Sequence, residues 1–247
     1  MAKLRLHGLR FLSLTALAAL WEAVVRLGWV DPAFIAAPSA VALVLGPTLV
    51  EALPRLVDTL AKTLMAYALA TALGVGLGLV IGSLRYLYDV LNPFLVVFYS
   101  IPKILILPWI ILLTGIGTTP AVLYGTLHGF FPVVLLVIGG VRDLERQPVT
   151  VARSMGATPS QIYLKVILPA VLPSVLEGMR LGIIFCLLGV LIVEMFAGIR
   201  GMGYLLQSLG NAFLAAELFA ATVLVSALSI AIVLGLEAAN KRLGRWR

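Results

Sequence analysis

The chain has 247 residues, of which 62% are hydrophobic and 12% charged, with a net charge of +7 and a mean hydropathy of +1.10. A soluble domain averages about 25% charged residues, so this composition excludes an ordinary soluble enzyme and reads as an all-α integral membrane protein whose first partner is the lipid bilayer. The basic residues sit at the ends of apolar runs, which is a membrane pattern and excludes nucleic acid as the partner.

Residues 1–247 read as a single transmembrane domain of about six spans. Lys3, Arg5 and Arg10 precede an apolar run from Leu9 to Leu27. A cleavable signal peptide is the competing reading, with Ala16-Leu17-Ala18 as its small-residue site, but the run continues through Trp21 to span length. Residues 28–58 hold Pro32, Pro38, Pro47 and Pro54 and read as an extracytoplasmic segment with a short interfacial helix capped by Ser39. The second span runs from Thr59 to Leu84 and carries Gly74, Gly78 and Gly82 on one face, a spacing that lets another backbone approach closely. The third, Leu91 to Ile116, is interrupted by Pro93, Pro102 and Pro108, and the fourth runs from Thr119 to Val141. The fifth runs from Pro173 to Ala197 and the sixth from Glu217 to Ala239, separated by a glycine-rich extracytoplasmic segment, 198–216, with partly re-entrant character.

Between the fourth and fifth spans lies the charged interval 141–173, VRDLERQPVTVARSMGATPSQIYLKVILPAVLP. Pro148 suits a first helical position, and Gly156 suits the left-handed residue past a helix end. Thr158 and Gln161 form a capping box with Pro159 behind the cap, and Pro169 ends the second helix or starts the next. Ile162 and Val166 share one face. These signals predict two short helices with a hard bend between them.

Ala152, Gly156, Val166, Leu168 and Pro169 match the Glu-Ala-Ala loop of binding-protein-dependent ABC importer permeases, with the family's nine-residue gap between Gly156 and Val166. Thr150 stands where that family has Glu, and Val151 where it has the first Ala. Phrases such as GVGLGLVIGS, NPFL, IPKILILPW, FFPVVLLVIGGVRD, IVEMFAG and GMGYLL resemble the nitrate/taurine/sulfonate branch. The resemblance implies a type I importer fold with a cytoplasmic coupling hairpin. Thr150, Val151, Ala152, Arg153, Gly156, Ala157, Ile162, Val166, Leu168 and Pro169 would then dock into an ATP-binding subunit. It further implies a homodimer, two copies of that ATPase carrying ATP and Mg, an extracytoplasmic solute-binding protein, and residence in a bacterial inner membrane. The solute would be a small anion, a sulfonate or a heteroaromatic vitamin precursor.

The chain itself has no phosphate-binding glycine loop, no acid–base pair in its spans and no cofactor or metal motif: Cys186 stands alone in an apolar run, and His7 and His128 are far apart. An ion-gradient transporter is the alternative, but the halves show no convincing repeat and few buried acids. With both termini and the 141–173 interval inside, 12 of the 18 Lys and Arg face the cytoplasm, which favours that orientation. Two ionisable residues in the spans are candidates for the path or gate, Lys103 for attracting an anion and Glu194 for holding the gate loop. Glu177 and Arg180, three residues apart, are expected to pair near the inner end of the fifth span.

Overall fold

The computed structural model describes residues 2–144 and 146–243, with side chains described for 12–144 and 147–238. Among the described residues every regular element is helical: α1 (Ala2–Arg26), α2 (Pro38–Ser83), α3 (Arg85–Ser100), a 3-10 turn (Lys103–Ile106), α4 (Leu107–Thr114), α5 (Thr118–Arg142), α6 (Arg146–Ser154), α7 (Pro159–Ile162), a π turn (Tyr163–Ile167), α8 (Leu168–Ala197), α9 (Met202–Asn211) and α10 (Ala215–Leu243). Four of them are long and apolar enough to cross a bilayer: Pro38–Ser83, Thr118–Arg142, the continuous Pro159–Ala197, and Ala215–Ala238. A fifth is made by α3 with the Lys103–Thr114 piece, bent by 88° at the break. The first predicted span falls in α1. Its basic flank of Lys3, Arg5 and Arg10 lies outside the residues whose side chains are described, as do Arg146, Lys241, Arg242, Arg245 and Arg247.

The centre of the bundle is α5, held between α2 and α8. Lipid is as apolar as leucine, so the hydrophobic effect does little to bring helices together in a membrane, and close backbone packing must do more of it. The sequence supplies small residues for that purpose. A Cβ placed on Gly74 would come within 2.7 Å of Val133, and one on Gly78 or Gly82 within 2.7 Å of Val137 or Val141. The predicted glycine face of α2 is thus filled by the valine ridge of α5. α5 meets α8 in the same way: Gly189 approaches the Cα of Gly125, and Gly182 approaches the other methyl of Val133. Cys186 is fully buried there beside Gly129.

Three sequence expectations change. The segment 38–58 is not a loop with a short helix: α2 is one 46-residue helix that passes through Pro47 and Pro54. Pro47 and Pro54 lie on the exposed face of α2, while its other face buries Val41 against α10 and Ala52 against α9 and α10. Ser39 does not cap the helix. Its hydroxyl and N–H both donate to Glu22, at 2.7 and 3.0 Å, and so tie α2 to α1. The third span begins at Arg85, not Leu91, carries Pro93 inside α3, and breaks only at Ile101–Pro102. The second helix of the 141–173 interval is not short. It runs on through Pro169 and Pro173 to Ala197. At Pro169 a helical hydrogen bond to Lys165 is impossible, because proline has no N–H. The backbone widens into the π turn just before it, with the Leu168 N–H donating to the Tyr163 carbonyl.

Two glycines of α2 allow a direct test of the packing. Gly78→Leu should lower the detergent melting temperature by several degrees, an overpacking cost of about 1–3 kcal/mol. Gly76→Leu, where a Cβ meets nothing within 4 Å, should leave it unchanged. Equal melting temperatures for the two variants would contradict the packing of α2 on α5.

Candidate functional site

The hairpin lies at one end of the bundle. α6 ends at Ser154, and Gly156 turns the chain with φ +79°, a conformation L side chains rarely adopt. Thr158 then caps α7: its hydroxyl accepts the Gln161 N–H at 3.3 Å, while the Gln161 side chain accepts the Thr158 N–H at 2.9 Å. Ile162 is buried and anchors the bend, and Val166, Ala152, Ala157 and Leu168 are half-buried. Among its exposed polar residues the hairpin also presents three large apolar side chains: Val151 is 52% exposed, Met155 82% and Leu164 58%. Thr150, Arg153 and Pro169 are exposed on the same hairpin. Met155 and Leu164 were not among the predicted residues. Their signal is an apolar side chain flanking the turn glycine and one beside Lys165.

At the opposite end of α8 lies a buried ionic network. Glu194 is 1% exposed. Its carboxylate accepts hydrogen bonds from the Thr59 hydroxyl at 2.8 and 3.0 Å, from Lys62 Nζ at 2.9 Å and from the Gly203 N–H at 3.0 Å. Lys62, itself buried, pairs a second time with Asp58 at 2.6 Å and donates to the Arg200 carbonyl at 3.4 Å. Arg200 reaches Asp58 at 3.5 Å. The Thr59 hydroxyl also accepts the Met202 N–H at 2.8 Å. Two of the four unpaired N–H groups at the start of α9 are thereby taken up by Glu194 and Thr59. Only glycine fits beneath the carboxylate: a Cβ on Gly203 would come within 2.6 Å of the Glu194 Cβ, and Gly201 has φ +108°. A cavity of about 80 Å³ opens beside the network, lined by Lys62, Gly117, Thr118, Gly198, Ile199 and Arg200.

Lys62, Asp58, Thr59 and Arg200 were missed by sequence reasoning, which placed Asp58 in a loop and passed over Lys62 inside an apolar run. The available signal was the four-residue spacing of Asp58 and Lys62, an acid and a base on one helix face. The expected Glu177–Arg180 pair is not what forms: Arg180 reaches across to Glu237 of α10 at 2.7 Å. Ion pairing between helices ties α8 to α10, which a pair within one helix cannot do.

Lys103 sits apart from both sites, at the 88° break. Its Nζ donates to the Tyr99 carbonyl at 3.2 Å, an acceptor left free by the end of α3. The ammonium lies 4.6 Å from the Tyr99 ring centre and 5.1 Å from that of Phe131. Glu194 and Lys103 are therefore not brought together. Among the described residues no group of His, Cys, Asp and Glu is arranged to hold a metal.

The chain is thus a helical membrane bundle with a bent hairpin at one end and an ion-locked short helix at the other. The chain belongs to the family of binding-protein-dependent transport system inner membrane components, whose model matches residues 70–246. It is similar to the taurine transport system permease protein TauC of Escherichia coli (strain K12), with 29% identity over 245 residues, 95% of this chain and 88% of that one. The putative aliphatic sulfonates transport permease protein SsuC of Bacillus subtilis (strain 168) is 27% identical over 231 residues, 93% of this chain and 84% of that one. In fold it matches an inward-facing MetNI methionine ABC transporter structure with a TM-score of 0.70 at 23% identity, covering 80% of this chain and 98% of the other. The chain has the type I ABC importer permease fold and is a permease subunit of an ABC importer, not an enzyme; ATP hydrolysis is the work of a separate subunit.

The network at Glu194 makes a sign-specific prediction. Lys62→Met leaves the buried Glu194 carboxylate without its cation and the half-buried Asp58 with only Arg200, and should cost about 3–5 kcal/mol, seen as a sharp fall in melting temperature and yield. Adding Glu194→Gln should recover part of that loss, because one uncompensated charge is removed. A double variant less stable than Lys62→Met alone would show that the pair is not coupled.

Proposed function

We propose that two copies of this chain form the translocation path of an importer in a bacterial inner membrane, with both termini and the 141–173 hairpin in the cytoplasm. Each copy docks one of two ATPase subunits on its hairpin, and those subunits bind ATP and Mg. An extracytoplasmic binding protein delivers the solute at the end where Glu194 anchors α9. The observation that carries this reading is the hairpin surface, where Val151, Met155 and Leu164 are exposed on an elbow fixed by Gly156 and the Thr158 cap. An exposed apolar knob on a rigid support is what an interface needs at its centre.

The mechanism follows from continuity. Pro159–Ala197 is a single helix of 39 residues, about 58 Å long at 1.5 Å per residue. A push on the hairpin is delivered along it to Glu194 and thus to α9, so closure of the ATPases rocks one copy against the other between inward-open and outward-open states. Glu194 acts as a positioning residue for α9 in this scheme, and Lys103 lines the route. Delivery of a taurine-like or aliphatic sulfonate solute is supported by the likeness to TauC and SsuC, which are similar along most of this chain.

The docking surface is tested by Gly156→Val in the complete complex. The substitution forces a β-branched residue into φ +79° and should cut ATPase co-purification or transport-coupled ATP hydrolysis at least tenfold while membrane insertion persists. Wild-type transport and co-purification in that variant would refute the assignment. Thr150→Glu restores the residue usual at that position in the family's loop and should be tolerated or strengthen assembly. Complete loss of assembly would mean that the hairpin docks in another register.

A further inference from the structure

α8 and α10 are joined at two levels and parted between them. Toward the hairpin end, Arg180 Nη2 meets Glu237 Oε1 at 2.7 Å. Toward the other end α9 packs into the angle between them, with Met202 and Leu205 buried against Leu191, Ala221 and Val225. Between these ties an apolar crevice of about 220 Å³ remains. Ile183 and Leu187 form its buried floor, Ile184 and Leu188 its exposed rim, and Ile232 and Val233 its facing wall. Its one polar lining side chain, Ser229, already donates to the Val225 carbonyl at 3.0 Å.

The place of the crevice fixes the medium around it. It lies within two spans, and α10 is the least buried of the four, with 11% of its apolar window covered by the rest of the protein. From Arg180 to the end of α8 at Ala197 is about 26 Å at 1.5 Å per residue, and from the start of α10 at Ala215 to Glu237 about 33 Å. The hydrocarbon core of a bilayer is about 30 Å thick, so the ion pair stands where acyl chains give way to head groups. Arg180 is one turn from Ile183 and Ile184, which sets the guanidinium at the mouth of the slot. It is 41% exposed there and Glu237 32%. Glu237 engages one guanidinium nitrogen of a group with five N–H donors, which leaves donors for a phosphate oxygen. Glu177, exposed three residues away, adds a second acid, so among the described side chains two carboxylates flank one cation. That balance disfavours a net negative head group and leaves acceptors for an ammonium.

We infer that the α8–α10 crevice is a phospholipid site in the leaflet on the hairpin side, and that it selects a zwitterionic head group with a primary ammonium, of the phosphatidylethanolamine type. One acyl chain lies in the slot between Ile184 and Ile232, the phosphate accepts from Arg180, and the ammonium donates to Glu237. The trimethylated head of phosphatidylcholine keeps both charges but has no N–H to donate. Phosphatidylglycerol keeps the phosphate but brings a net negative charge to the two acids. A chain seated here props α10 against the long Pro159–Ala197 helix that carries the hairpin.

The test uses the full chain purified in detergent with its partners, stripped of co-purifying lipid and given equal concentrations of dioleoyl phosphatidylethanolamine, phosphatidylcholine and phosphatidylglycerol. Retained lipid is counted by native mass spectrometry. Phosphatidylethanolamine should be held about tenfold more strongly than either competitor, the scale of one hydrogen bond to a charged group. Ser229→Phe puts a ring into the slot, leaves the ion pair alone, and should remove one bound lipid per chain. Arg180→Gln combined with Glu237→Gln should bring the three lipids to equal retention. Because the double variant also gives up an interhelical tie, Ser229→Phe is the independent measure of occupancy. An unchanged lipid count in Ser229→Phe would overturn the site. Equal retention of the three lipids by the unmodified chain, or a preference for phosphatidylglycerol, would overturn the head-group assignment.

Discussion

The constraint on which the architecture turns is the carboxylate of Glu194. Buried in a bundle with no bulk water, it can exist as a charge only if it is surrounded by donors. The chain supplies them from two separate helices: Lys62 and Thr59 on α2, and the backbone of α9. Lys62 in turn requires Asp58, and Asp58 draws in Arg200. The demand of one acid therefore fixes where α2, α8 and α9 meet, and why Gly201 and Gly203 stand where any side chain would collide with it.

Away from that end, attraction is weak and contact distance dominates. Dispersion falls steeply with separation, so removing side chains along α2 and α8 lets α5 approach from both sides at once. The two regimes are complementary. The glycine–valine faces determine how closely the three central helices run, and the ionic network determines the level of α2 against α8, because a register slip of one residue would strand Lys62 or Glu194. Arg180 and Glu237 add a second such pin between α8 and α10.

Much of this was legible in the sequence. The apolar runs mark α5, α8 and α10 to within a few residues at most ends, and Gly156, Thr158 and Gln161 encode the elbow through local backbone rules that need no tertiary information. What was hidden depended on partners far along the chain. Pro47 and Pro54 look like loop residues until α9 and α10 are seen covering the other face of that stretch of α2. Lys62 looks like an interruption in an apolar run until Glu194, 132 residues away, arrives beside it. Pro169 looks like a helix end because local rules do not foresee that a wider turn before it can absorb the missing N–H. Arg180 shows the same limit: its nearest acid in sequence is Glu177, but its partner in space is Glu237.

The π turn also sets an angular relation. Each residue of an α-helix advances the chain by about 100°, so one inserted residue swings everything before it by that amount relative to everything after. The apolar knobs of the hairpin and the Glu194 face of α8 thus owe their relative azimuth to the five residues Tyr163–Ile167. Shortening that turn by one residue would turn the hairpin to face a different direction. Length in this stretch is therefore constrained as well as composition, because the residue count carries the aim of the whole lever.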